Sequence, residues 1–154
     1  MVCLGNICRS PMAAAVGAAM VEDAGLAGRV VVESFGTADY HVGCAADVRA
    51  AAALRRRGWP AEGHRARCIT AADLARADLV LAADQANLRH LRRLARTDAD
   101  RDKVRMLRSF DPVADGDDEV PDPWFGDEED FDHALDLIEA ACRGLVEHLG
   151  RTAR

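Results

Sequence analysis

Cys3 and Arg9 stand six positions apart in Val2-Cys3-Leu4-Gly5-Asn6-Ile7-Cys8-Arg9-Ser10-Pro11, with small and polar residues between them. The alanine-rich run behind them, Met12 to Ala24, is expected to be a helix ended near Gly25, and Pro11 suits its first position. Chain leading into a helix N-terminus can turn successive N–H groups inward, and the helix dipole adds positive potential. The stretch is therefore a candidate cup for a phosphate-like anion, lined by the N–H groups of Leu4, Gly5, Asn6, Ile7, Cys8, Arg9 and Ser10. Arg9 adds a planar clamp for two anion oxygens. Cys3 falls at the floor, where a positive field favours thiolate. A thiolate beneath a phosphoryl group is a nucleophile placed for attack. Gly5 permits close approach and unusual backbone angles, Asn6 tolerates a left-handed conformation, and Ser10 suits a hydrogen bond to the thiolate or a helix cap. The bare Cys/Arg spacing also fits a buried cysteine near a helix start. Arginine is plentiful besides, since Lys103 is the only lysine among 20 basic residues. It is the whole decapeptide that favours chemistry.

A thiolate attacking a phosphate ester needs a proton donor for the leaving oxygen. Val120-Pro121-Asp122-Pro123-Trp124-Phe125 offers one in Asp122, whose backbone is restricted by a proline on each side. Trp124 and Phe125 supply apolar walls for an aromatic ring. Read without the cysteine loop, the same segment is a solvated acidic loop anchored by an aromatic. Asp111, Asp115, Asp117, Asp118 and Glu119 are expected to be solvated.

The elements that must position these groups alternate. Arg29 to Ser34 reads as a strand, with Phe35-Gly36-Thr37 turning the chain. Ala45 to Arg57 fits a helix, and Arg67-Cys68-Ile69 a short extended piece. Thr70 with Asp73 reads as a helix start running to Ala77. Asp78 to Ala83 reads as a buried strand, and Asp84 as the cap of a helix through Ala95. Lys103 to Leu107 is the last strand. After an acidic loop, Asp130 to Leu149 closes the chain with Leu135, Ile138, Cys142, Leu145 and Leu149 on one helical face. This order predicts a single α/β domain over residues 1–154, a parallel sheet flanked by helices in three layers. Ligands in such sheets bind beyond the carboxyl ends of the strands, where the cysteine loop falls.

At 154 residues one domain is the default. A net charge of −6 argues against a general nucleic-acid binder. There is no apolar run of about 18 residues to span a membrane and no signal-like N-terminus. Five cysteines without a scaffold pattern suggest reduced thiols and a cytoplasmic location, secretion by a signal-independent route remaining open. Only Met1 and Val2 precede Cys3, too few for the strand from which a phosphate cup normally hangs. The sequence therefore leads one to expect that this strand is missing, with an apolar seam left open.

Cys3-Leu-Gly-Asn-Ile-Cys-Arg-Ser-Pro11 resembles the phosphate-binding loop of the low-molecular-weight protein tyrosine phosphatases, and Val-Pro-Asp-Pro followed by two aromatics resembles their general-acid loop. The resemblance implies phosphotyrosine hydrolysis through a cysteinyl-phosphate, with Cys3 as nucleophile, Arg9 as anion clamp and Asp122 as acid. It implies no metal or other cofactor, a phosphotyrosine protein as partner, and a monomer or weak dimer. Ser34-Phe35-Gly36-Thr37 resembles the segment whose serine bonds the loop asparagine, so Asn6, Ser10, Ser34 and, from Gly63-His64-Arg65, His64 are expected to brace the loop. Ile7, Tyr40, Trp124 and Phe125 are expected to wall the substrate cleft. Asp84, in a segment that packs beside the site, is expected to be structural. A Cys3–Cys8 disulfide would protect the nucleophile from over-oxidation.

Three alternatives share these residues. Arsenate reductases of this fold need relay cysteines, but Cys44, Cys68 and Cys142 are scattered. Protein-arginine phosphatases carry threonine where this chain has Ile7, and an apolar residue there favours a flat aromatic over a guanidinium. A non-catalytic or inactive phosphate-binding form is the third.

Overall fold

The computed structural model describes residues 1–152. Four parallel strands, β1 (Val2–Cys3), β2 (Phe35–Gly36), β3 (Val80–Ala82) and β4 (Val104–Met106), form one sheet in the order β2-β1-β3-β4. The helices are α1 (Arg9–Asp23), α2 (Val48–Arg56), α3 (Ala71–Arg76), α4 (Gln85–Leu94), α5 (Asp98–Asp102) and α6 (Glu128–Thr152). Side chains alternate along each strand, so neighbours in sequence enter opposite cores. Cys3 and Leu81 join Met12, Phe131, Leu135 and Ile138 under α1, α2 and α6. Val2, Val80, Ala82, Val104 and Met106 join Leu74, Leu88 and Leu91 under α3 and α4. The result is the three-layer parallel α/β arrangement expected from the alternating pattern.

The strands are where the expectations need correction. The strand before the cysteine loop is cut short as expected, to Val2–Cys3, with Val2 pairing with Phe35 on one side and Ala82 on the other. Two residues are too few to show in a periodicity, yet they make β1 the inner strand from which the loop hangs. Because β1 is so short, the ladder beside it lies at Phe35–Gly36, where a turn was expected, and Val30 to Glu33 lie outside it. Val31 is 84 % exposed. Val30 to Glu33 face Asp78 to Leu81 across a groove of about 590 Å³ with Met1 and Val2 at its base. Cys68 contributes a single parallel bridge to Gly36.

The helix starts follow local chemistry. Thr70 Oγ1 accepts the Asp73 N–H at 3.1 Å while Asp73 accepts the Thr70 N–H at 2.9 Å, a reciprocal cap for α3. Asp84 and Asn87 repeat the device at α4, with bonds of 2.8 and 3.2 Å. Asp47 caps α2 through the Arg49 N–H, so that helix starts at Val48, not Ala45. The short α5 was absent from the sequence expectation although Thr97 caps it. Helix α1 begins at Arg9, which puts Pro11 third; its missing N–H is still one the first turn would leave unpaired. Leu135, Ile138, Cys142 and Leu145 of α6 are all buried, as their spacing required. Among the described residues no helix is long and apolar enough to cross a membrane.

Candidate active site

The loop from Cys3 to Ser10 is held by its carbonyls. Cys3 O accepts the Thr37 N–H (2.9 Å), Leu4 O the Ala38 N–H (3.0 Å), Ile7 O the Asp47 N–H (2.8 Å) and Cys8 O the Met12 N–H (3.2 Å). Asn6 O lies 2.6 Å from His64 Nε2, a contact that requires the proton on that nitrogen. With these carbonyls bonded to groups outside the loop, no hydrogen bond among the described residues uses the N–H groups of Gly5 to Ser10. Seven-residue cups of this kind offer those donors to an anion.

Asn6 is the pivot. Its φ of +57° is the one left-handed backbone among the described non-glycine residues, a conformation asparagine tolerates. Its side chain is fully buried and pairs both ends of its amide: Nδ2 donates to Ser10 Oγ (2.8 Å) and Ser34 Oγ (3.1 Å), and Oδ1 accepts the Arg67 N–H (2.9 Å). Gly5, by contrast, has no positive φ. A Cβ there would stand 2.9 Å from His41 Cδ2. Gly36 is needed more strictly, since its Cβ would meet the Leu4 carbonyl oxygen at 2.7 Å. Ser10 Oγ lies 3.0 Å from Cys3 Sγ and 3.2 Å from the Phe35 carbonyl oxygen. Its single proton can turn to a thiolate. Ser10 does not cap α1.

Arg9 is 3 % exposed. Nη1 donates to Asp84 Oδ2 (2.7 Å) and to the Val120 carbonyl (3.0 Å), and Nη2 lies 3.4 Å from Asp122 Oδ2. Burial works against its charge. The Asp84 hydrogen bond and the negative groups at Cys3, Asp122 and Asp84 outweigh it and hold the guanidinium more firmly protonated than usual. Asp84 thus divides its carboxylate: Oδ1 caps α4 and Oδ2 orients Arg9. That second task is more than the structural part the sequence assigns it.

Asp122 is half-exposed and accepts the Trp124 N–H at 3.2 Å. The chain before it is fixed: the Val120 N–H reaches Ala83 O (2.8 Å), extending the line of β3, and the buried Arg108 donates to Glu119 O (2.9 Å). Asp111 is buried beside Arg108, not solvated as expected.

The expected cleft walls are distributed unevenly. Trp124 packs 5.6 Å from the His41 ring, and Tyr40 meets His41 edge-on at 6.4 Å. Phe125 is 98 % exposed. Ile7 belongs to the core, and Leu4, 44 % exposed, is the apolar residue that the loop presents. Tyr40, His41 and Trp124 thus form one run of ring contacts, and Ile7 is not exposed beside it.

His64 is held below its usual value, first by burial and then by Arg67 and Arg65, although the Asn6 carbonyl opposes this. Cys8 is pushed up to about 12 by burial and then by the charges of Asp47, Cys3 and Asp122. No group of three or more His, Cys, Asp or Glu among the described residues is arranged to hold a metal ion.

Sequence reasoning passed over His41, Asp47 and Arg49. Asp47 preceding a helix was a legible cap, but Arg49 looked like one surface arginine among many. It lies against both the cap and the acid loop.

A family model described as low molecular weight phosphotyrosine protein phosphatase matches residues 1–154. A low molecular weight protein-tyrosine-phosphatase of Streptomyces coelicolor is 51 % identical over 146 residues, 94 % of this chain and 88 % of the relative. Low molecular weight protein-tyrosine phosphatase A of Mycobacterium tuberculosis is 46 % identical over 145 residues, 94 % of this chain and 86 % of that one. The crystal structure of a protein tyrosine phosphatase from Entamoeba histolytica, with Hepes in its active site, superposes with a TM-score of 0.92 at 31 % identity, covering 99 % of this chain and 96 % of that one. A family match across the full length, together with the shared fold, places the chain in the low molecular weight phosphotyrosine protein phosphatase family.

Proposed function

We propose that the chain hydrolyses phosphotyrosine in proteins through a cysteinyl-phosphate. The observation that carries this is the convergence on one buried guanidinium: Arg9, six residues from Cys3, pairs with Asp122 at 3.4 Å across 113 positions of chain. Cys3 thiolate attacks phosphorus, and the bond from phosphorus to the tyrosyl oxygen breaks. Arg9 and the loop N–H groups stabilise the equatorial oxygens. Asp122 gives its proton to the departing oxygen, then takes one from the water that splits the thiophosphate bond and frees phosphate. Ser10 donates to the sulfur as it leaves phosphorus. Such charge stabilisation comes from the protein itself and requires no metal. The aromatic rim suits a flat aryl ester better than a phosphorylated guanidinium. A reactive thiolate calls for a reducing compartment, which favours the cytoplasm, and nothing in the chemistry asks for more than a monomer.

Replacing Cys3 with Ser should abolish para-nitrophenyl phosphate turnover while phosphate still binds. Asp122→Ala should slow a poor leaving group such as phenol roughly 10²–10⁴-fold and a good one, dinitrophenol, far less. Turnover that survives Cys3→Ser would end the cysteinyl reading, and faster cleavage of phosphoarginine than of phosphotyrosine would reassign the substrate.

A further inference from the structure

The acid loop has no ladder to hold it beyond Val120, yet its carboxyl must be placed closely for proton transfer. Guanidinium groups supply the hold. Arg108 takes Glu119 O and Arg9 takes Val120 O, both upstream of Asp122. Downstream, Arg49 Nη1 donates to Trp124 O at 3.0 Å and to Gly126 O at 3.4 Å. Among the described residues it is the one side chain from outside the loop that hydrogen-bonds the backbone of Trp124 to Gly126.

Arg49 is itself fixed. Nε and Nη2 each lie 3.0 Å from one Asp47 carboxylate oxygen, a two-pronged pair. The guanidinium carbon lies 4.6 Å from the Phe131 ring centre and 5.6 Å from that of Trp124. Asp47 donates its N–H to Ile7 O, inside the cysteine loop. One continuous path therefore runs from Ile7 through Asp47 and Arg49 to the two carbonyls that follow Asp122. Only a planar fork can grip a carboxylate with one edge and carbonyls with the remaining nitrogen; an ammonium is a point donor.

We propose that Arg49 is a positioning residue, which sets the Asp122 carboxyl against the nucleophile loop without touching a reacting atom. This rests on Asp122 being the general acid. Arg49→Lys should lower kcat for phenyl phosphate roughly 10- to 100-fold and that for dinitrophenyl phosphate only slightly, with KM and phosphate inhibition near those of the unmodified protein. In an Asp122→Ala background the same change should add no further loss, because no acid is left to misplace. Equal losses on the two esters, or losses that multiply in the double variant, would overturn the proposal. An Asp122→Ala protein lacking leaving-group dependence would instead remove the acid assignment itself. If Arg49→Lys does not fold, Arg49→Gln serves; should neither fold, Arg49 is a structural residue and the proposal fails.

Discussion

Asn6 shows what a single side chain must do in a loop that offers its N–H groups to a ligand. An outward carbonyl is held by a donor, and the buried amide must have each polar atom paired, because an unpaired one costs about 1–3 kcal/mol. His64 completes the set at Asn6 O. Burial holds its pKa below 6.5, so near that value the folded chain binds fewer protons here than the unfolded chain. The stability contributed by neutral His64 is thus present above about pH 6.5. It falls as pH drops through that value and levels off below the lowered folded one. Glutamine at position 64 keeps a donor and removes the titration. His64→Gln should therefore lose less of its urea midpoint than the unmodified protein between about pH 7 and about pH 5; identical losses would show that His64 does not carry the effect.

At the scale of elements, α3 and α4 begin with the same reciprocal cap but differ in what else the cap does. Thr70 serves α3 alone. Asp84 also pairs with Arg9, a charge removed from water. Thr70→Ala should cost about 1 kcal/mol with turnover unchanged. Asp84→Ala should cost more, because a buried cation loses its partner, and should weaken both phosphate binding and kcat. Thermal melts and phosphate inhibition of the two variants separate the roles. Equal costs with activity spared in both would show that Arg9 does not depend on Asp84.

Across the whole molecule, the loop's rigidity comes from the core under it. Cys3 and Ile7 share one cluster with Met12, Phe131, Leu135 and Ile138, so α6, last in the chain, packs beneath the first loop. Ile138→Ala should cost roughly 2–5 kcal/mol in urea unfolding while the folded protein keeps its leaving-group dependence; a changed dependence would show that α6 tunes the chemistry. The sequence alone carries what is local. The Cys3–Arg9 spacing, the Thr70 and Asp84 caps and the buried stripe of α6 all depend on neighbours within a turn or two, and spacing encodes those. It did not settle which arginine meets which carbonyl. Arg9 with Asp84 and Arg49 with Trp124 are each 75 positions apart, and the pairing of Val2 with Phe35, which leaves Val30 to Glu33 outside the ladder, also joins residues distant in the chain. Those contacts exist only once the order β2-β1-β3-β4 has brought the strand ends together, because a side chain's charge is written in the sequence but its nearest partner is set by the fold.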